Sequence, residues 1–143
     1  RFWRFSMSQI KTDKLTGTST AGVILVTGEG NSTTTNLQQG LAKAFISFDG
    51  TGTVSIDTSF NISTLTDNAA ADYSIAYTNN VSTSNHPVTG SNIGSSETNY
   101  LGYICSDGVA QATTGVTVHF VFHNGSSNND QDPVHLLTNG GLA

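Results

Sequence analysis

The stretch FDGTGTVSIDTSF, Phe48 to Phe60, is readable either as a loop that presents a catalytic aspartate or as a tight connection between two strands. The flanking residues favour the second reading. LAKAFISF (41–48) precedes the loop and TVSIDTSF (53–60) follows it, both rich in β-branched and aromatic side chains with period-two apolar positions. Between them, Gly50 and Gly52 supply the positive φ that hairpin turns require. This reading puts Asp49 in the turn and Asp57 on a solvated strand face.

Two catalytic readings of the same residues fail on chemistry. An aspartyl-phosphate loop of the cation-pump type needs a lysine directly after the aspartate and a parallel α/β scaffold with metal-binding carboxylates. Gly50 stands where that lysine would be, and no helix–strand alternation surrounds it. An aspartic protease needs glycine after Asp-Thr and two such loops sharing one proton. Ser59 follows Asp57-Thr58, and the motif occurs once.

Outward from the hairpin the same strand grammar continues. FNISTLT (60–66) sets Phe60, Ile62 and Thr64 against Asn61, Ser63 and Leu65, DNAAAD (67–72) reads as a turn, and ADYSIAYT (71–78) puts Tyr73, Ile75 and Tyr77 on one face. The polar span 79–98 predicts a long surface loop or irregular edge segments, the usual place for a binding surface. NYLGYICS (99–106) and TGVTVHFVFHNG (114–125) predict two more strands, the second with Val116, Val118, Phe120 and Phe122 facing one way and Thr117, His119, Val121 and His123 the other. The tail from Ser126 reads as loop with an apolar clip at Val134–Leu137. The pattern predicts an all-β fold: an antiparallel β-sandwich, jelly-roll-like, over 41–143, preceded by an N-terminal attachment arm over 1–40 in which the apolar run 22–27 reads as a strand.

Composition agrees with strands. Ser, Thr, Asn and Gly make up nearly half of the 143 residues, and charged residues only 10%. Helix surfaces favour longer charged side chains. All five cationic residues (Arg1, Arg4, Lys11, Lys14, Lys43) precede Ala44, after which there are eight carboxylates and no Lys or Arg. A phosphate backbone finds no partner there, which argues against nucleic acid. No apolar run is long enough for membrane insertion as a helix. RFWRFSMSQI (1–10) has no secretory-signal pattern. It admits two readings: Met7 as the start after an upstream extension of six residues, or Phe-Trp-Arg-Phe as an anchoring strand.

The residue types that carry chemistry are sparse. His119 and His123 share a strand face about 13 Å apart, too far to chelate a metal within one chain, though each could meet its own copies on a trimer axis. Asp130, Asp132 and His135 offer oxygen ligands of the kind calcium takes, against ordinary solvation. Tyr73, Tyr77, Tyr100 and Tyr103 are candidate sugar-stacking platforms or core aromatics. Cys105, the only cysteine, reads as a small buried hydrophobe. No hydroxyl pairs recognisably with a base. The expectation is a non-enzymatic chain without cofactor or metal, whose candidate binding residues are Asn85, His86, Asn92, Tyr100 and Tyr103.

Two segments, MSQIKTDKLTGTSTAG from Met7 and LQQGLAKAFISFDGTGTVSIDTSFNISTLTDNAAADYSIAYTNN from Leu37, resemble small virion proteins of tailed bacteriophages, marine and cyanophage-like, of the tail-fibre type. The motifs that carry the resemblance run in order through Ala42-Lys43-Ala44-Phe45, Gly50-Thr51-Gly52-Thr53, Ser59-Phe60-Asn61-Ile62-Ser63, Thr66-Asp67-Asn68 and Asp72-Tyr73. They cover about the first half of the chain. Ala69-Ala70-Ala71 departs from the pattern's Gly-rich turn, and Phe45 stands where Trp is common. The resemblance implies a homotrimeric β-domain on an extracellular particle. In it residues 1–40 face other virion proteins, and the outer domain meets the host surface, with glycan as the expected ligand class. A capsid decoration or head-fibre protein without receptor function is the alternative, and a polysaccharide-depolymerising spike ranks below it, since Asp130 and Asp132 are not opposed across a cleft.

Overall fold

The computed structural model describes residues 12–16, 24–27, 34–92, 103–105, 111–121 and 129–141. Leu25–Thr27 (β1) pairs antiparallel with Thr34–Asn36 (β2), and one helical turn, α1 (Leu37–Gly40), follows. The N–H of Leu37 donates to the Ile24 carbonyl at 2.7 Å, closing this small unit. β2 was not legible beforehand, because Thr-Thr-Asn has no apolar period and becomes a strand only through its partner.

The body consists of β3 (Ala42–Asp49), β4 (Ser55–Phe60), β5 (Ile62–Ala69), β6 (Asp72–Tyr77), β7 (Val88–Asn92), β8 (Tyr103–Cys105), β9 (Gly115–Val121) and β10 (Val134–Asn139). These strands build two antiparallel sheets of four, ordered β4-β3-β10-β7 and β5-β6-β9-β8. The described chain is therefore all-β apart from α1, in a sandwich-like arrangement. The pairs β3–β4, β5–β6 and β8–β9 are each neighbours within one sheet.

Period two explains the core. Ala44, Ile46 and Phe48 of β3 and Val134, Leu136 and Thr138 of β10 are buried from one sheet; Tyr73, Ile75 and Tyr77 of β6 and Val116, Val118 and Phe120 of β9 are buried from the other. Phe48 meets Tyr73 edge-on across the layers, with ring centroids 4.9 Å apart, and Tyr73 leans on Phe120 at 6.1 Å. Burial of such side chains, each contributing about 1.5–3 kcal/mol, is the main force holding the layers together.

Two expectations are corrected here. The tail from Ser126 holds no mere clip: Val134–Asn139 is β10, a central strand bonded to β3 on one side and β7 on the other. Its alternation is real, but Asn, Asp and Pro residues just before it mask the strand. FNISTLT is not one alternating strand either. The chain turns at Asn61, whose φ of 59° is left-handed, so Phe60 ends β4 in one sheet and Ile62 begins β5 in the other. A bulge between Ile62 and Thr64 then brings Leu65 to the core side opposite Ile75.

Asn61 is suited to the corner because its short amide tolerates left-handed backbone. Its Nδ2 donates to the carbonyls of Lys43 (2.9 Å) and Asn79 (3.0 Å), and its Oδ1 accepts from the backbone N–H of Asn79 (2.7 Å). One side chain thus ties the start of β3, the β4–β5 corner and the segment after β6.

Candidate functional site

The hairpin reading of the opening stretch holds, with one correction: of the two glycines expected to supply positive φ only Gly52 (φ 61°) does, and Gly50 is small because of what lies beneath it. Asp49 Oδ1 accepts from both the backbone N–H (2.7 Å) and the hydroxyl (2.6 Å) of Thr51, closing the turn on itself. Those bonds, the hydroxyl's first, hold the Asp49 carboxyl below its usual range. Asp57 is exposed and accepts from the Ser47 hydroxyl at 3.3 Å.

Gly50 lies over the buried Tyr73. A Cβ there would sit 2.8 Å from Tyr73 Cζ and 2.9 Å from the Gln131 carbonyl, nearer still to the Tyr73 hydroxyl. The Tyr73 hydroxyl donates to Asp130 Oδ1 at 2.8 Å, with the Gly50 carbonyl 3.2 Å away. The same Asp130 oxygen accepts from the N–H of Ala71 (2.8 Å), a residue held at a left-handed φ of 59°. The Gly50 N–H in turn donates to the Gln131 carbonyl at 2.9 Å. Burial, then the bond to Asp130, pushes the Tyr73 phenol well above its ordinary pKa. Asp130, expected beside Asp132 and His135 as a possible calcium ligand, therefore spends Oδ1 on pinning the β5–β6 turn and the core. Among the described residues no group of three His, Cys, Asp or Glu side chains is arranged to hold a metal.

His86 also departs from its expected place. It is 2% exposed rather than presented on a surface loop. Its Nδ1 lies 3.0 Å from the Thr83 carbonyl, which can only accept, so Nδ1 carries the proton. In the neutral ring Nε2 then accepts from the Tyr77 hydroxyl at 2.9 Å, and Tyr77 accepts from Thr138 at 3.0 Å. This buried chain fastens the segment before β7 to β6 and β10. The placement of Tyr73 and Tyr77 in the core removes both from the sugar-stacking candidates.

The other predicted binding residues scatter. Asn85 is exposed, with its N–H donating to Thr83 Oγ1 at 3.2 Å. Asn92 ends β7 opposite Val134, with its Nδ2 buried and without a hydrogen-bond partner. Tyr100 and His123 lie outside the described residues, as do the side chains of Tyr103 and Cys105 in β8, whose backbones pair with Val121 and His119. His119 faces outward with Nδ1 3.7 Å from Asp72 Oδ2.

The two outer faces differ in chemistry. On the first sheet, cross-strand register aligns Phe60, Phe45 and Leu137 in one row over β4, β3 and β10, with exposures of 52%, 39% and 38%. The two phenyl rings stack with centroids 5.9 Å apart. On the second sheet the described outward positions are mostly polar, with Ala76 and Gly115 as small exceptions. Asn68 Nδ2 donates to Asp72 Oδ1 (3.0 Å) and Ser74 Oγ (2.8 Å), and Ser74 shares a 3.0 Å bond with Thr117. Beside this network lies an open depression of about 240 Å³, lined by Thr64, Thr66, Ser74, Ala76, Ala112, Thr114, Gly115 and Thr117 among others. No local pattern brings these residues together; register across β5, β6 and β9 is what gathers them.

Comparisons with protein-family models, curated proteins and solved structures returned no match. Among the described residues no helix is long and apolar enough to cross a membrane.

Proposed function

We propose that this chain is a non-enzymatic virion structural protein of a tailed bacteriophage, of the tail-fibre or adhesion type, acting by contact with the host surface. The observation that supports it most is how the chemistry-bearing side chains are spent. Asp49 closes a turn, Asp130 and Tyr73 lock a corner, and His86 bridges strands inside the core. The outward positions carry mostly hydroxyls, amides and a few apolar groups, with scattered acids such as Asp57 and Asp72, the histidine His119, and no Lys or Arg after Lys43. Such a surface suits recognition rather than proton or phosphoryl transfer.

In this reading residues 1–40 attach to neighbouring virion proteins and three copies associate. The exposed Phe60–Phe45–Leu137 row supports homotypic packing, because three adjacent side chains of this size remain 38–52% exposed in the single chain. Native mass spectrometry of the recombinant chain tests assembly, with a trimer expected and a monomer at micromolar concentration counting against it. Immunogold labelling of purified particles tests location. Gold at the tail fits the adhesion role, gold on the head transfers the assignment to a decoration protein, and unlabelled particles refute both.

A further inference from the structure

The depression on the outer face of the second sheet has a physical origin in two small residues. Ala76 and Gly115 are cross-strand partners on the outward side, so neither fills the space between Thr64 and Thr114. Gly115 is constrained to remain small: a Cβ there would collide with the Ile75 carbonyl and lie 3.1 Å from the Ala76 Cα. The gap is therefore built into the backbone.

The surroundings of that gap are specific. Five hydroxyls border it: Thr64, Thr66, Ser74, Thr114 and Thr117. Ser74 and Thr117 are held in place by each other and by Asn68. No hydrogen bond to another described residue engages the hydroxyls of Thr64, Thr66 or Thr114. Among the described residues no charged side chain lines the depression, while Ala76, Ala112 and Gly115 give it an apolar patch.

We infer that this depression binds one ring of a neutral sugar. A pyranose presents a C–H face to an apolar patch and a rim of hydroxyls that both donate and accept, and Thr and Ser hydroxyls are matched to that rim because they too do both. The described lining residues carry no charge that would offset the desolvation of an anionic ligand, which favours a neutral one. The volume is below the roughly 300–1,000 Å³ of sites that enclose whole drug-sized ligands, so a single unit of a longer glycan fits the geometry. An open, shallow site of this kind binds weakly as a monomer and gains through multivalency when several copies engage one polymer.

This inference rests on the adhesion reading and deepens it by assigning a neutral sugar ring to one depression of the fold. The test is a ¹⁵N–¹H titration of the full chain with neutral mono- and disaccharides ending in glucose, galactose, mannose or N-acetylglucosamine, at concentrations up to about 10 mM. The expected result is saturable shifts of the amides of Thr64, Thr66, Ser74, Gly115 and Thr117 with at least one sugar. Ala76→Phe, which fills the gap from an outward position, should weaken that binding at least tenfold, as should Thr66→Ala combined with Thr117→Val. Circular dichroism checks that each variant is folded, and if Ala76→Phe is not, the double variant decides alone. Absence of shifts with every sugar, shifts centred on residues 79–87 instead, or full binding by the folded variants would overturn the site. Stronger perturbation of the same amides by an anionic sugar or by a Ser/Thr-rich peptide would overturn the ligand class. None of these outcomes changes where gold labels a particle, so failure here is separable from failure of the virion reading.

Discussion

Replacing Asn61 separates two contributions that the native corner combines. Asn61→Gly keeps left-handed backbone accessible and deletes only the amide's bonds to Lys43 and Asn79. Such bonds contribute about 0.5–1.5 kcal/mol each, less where water substitutes. Only the bond to the Lys43 carbonyl is partly buried, so the glycine variant should lose about 1–2 kcal/mol. Asn61→Ala loses the same bonds and must also hold a Cβ at φ 59°, which adds roughly 1–2 kcal/mol. Urea unfolding followed by circular dichroism, with a common slope for the three proteins, measures both differences. The expected order of stability is wild type, then glycine, then alanine. Equal loss in the two variants would refute the backbone argument, and losses below about 0.5 kcal/mol in both would refute the corner's role altogether.

Other consequences follow from the Gly50–Tyr73 corner. Gly50→Ala should cost about 2–3 kcal/mol by driving a methyl into the Tyr73 ring and the Gln131 carbonyl, read as a lowered urea midpoint; an unchanged midpoint contradicts that packing. Alkaline pH should also loosen the fold. The folded state holds the phenolic protons of Tyr73 and Tyr77 more tightly than the unfolded chain does, chiefly through burial. That stabilisation is complete below about pH 10 and declines as pH rises past it, by at most about 1.4 kcal/mol per pH unit for each tyrosine. Lys43, whose burial lowers its pKa, acts with the opposite sign, so the informative comparison is with Tyr73→Phe. This variant should be less stable at neutral pH by about 1–3 kcal/mol and show a shallower decline from pH 9 to 11 in equilibrium unfolding. Parallel pH profiles would contradict the assignment to Tyr73.

The strands that were legible in the sequence are those whose own alternation suffices. Tyr73-Ile75-Tyr77 and Val116-Val118-Phe120 each mark a buried face without reference to any neighbour. Asp49-Gly50 marked a turn for the same local reason. What escaped depends on contacts distant in the chain. Val134, Leu136 and Thr138 become a central strand only when β3 and β7 flank them, and the polar residues just upstream hide them. His86 looked like a surface loop residue because nothing local shows that Tyr77 and Thr138 wait for its ring. Asp130 similarly read as a solvated carboxylate, whereas its partners Ala71 and Tyr73 lie more than fifty positions upstream. The hydroxyl-lined depression was invisible for want of register: Thr66, Ser74 and Thr117 are dispersed in sequence and adjacent only across β5, β6 and β9.

The insertion of β10 between β3 and β7 underlies the whole account, because it carries Asp130 to Tyr73 and Thr138 to Tyr77 and so turns candidate reactive groups into framework. Native-state hydrogen exchange read by mass spectrometry tests it most directly. Peptides covering 134–138 should exchange in the same slow class as those covering 44–48. Exchange of 134–138 within seconds while 44–48 stay protected would contradict the central position of this strand.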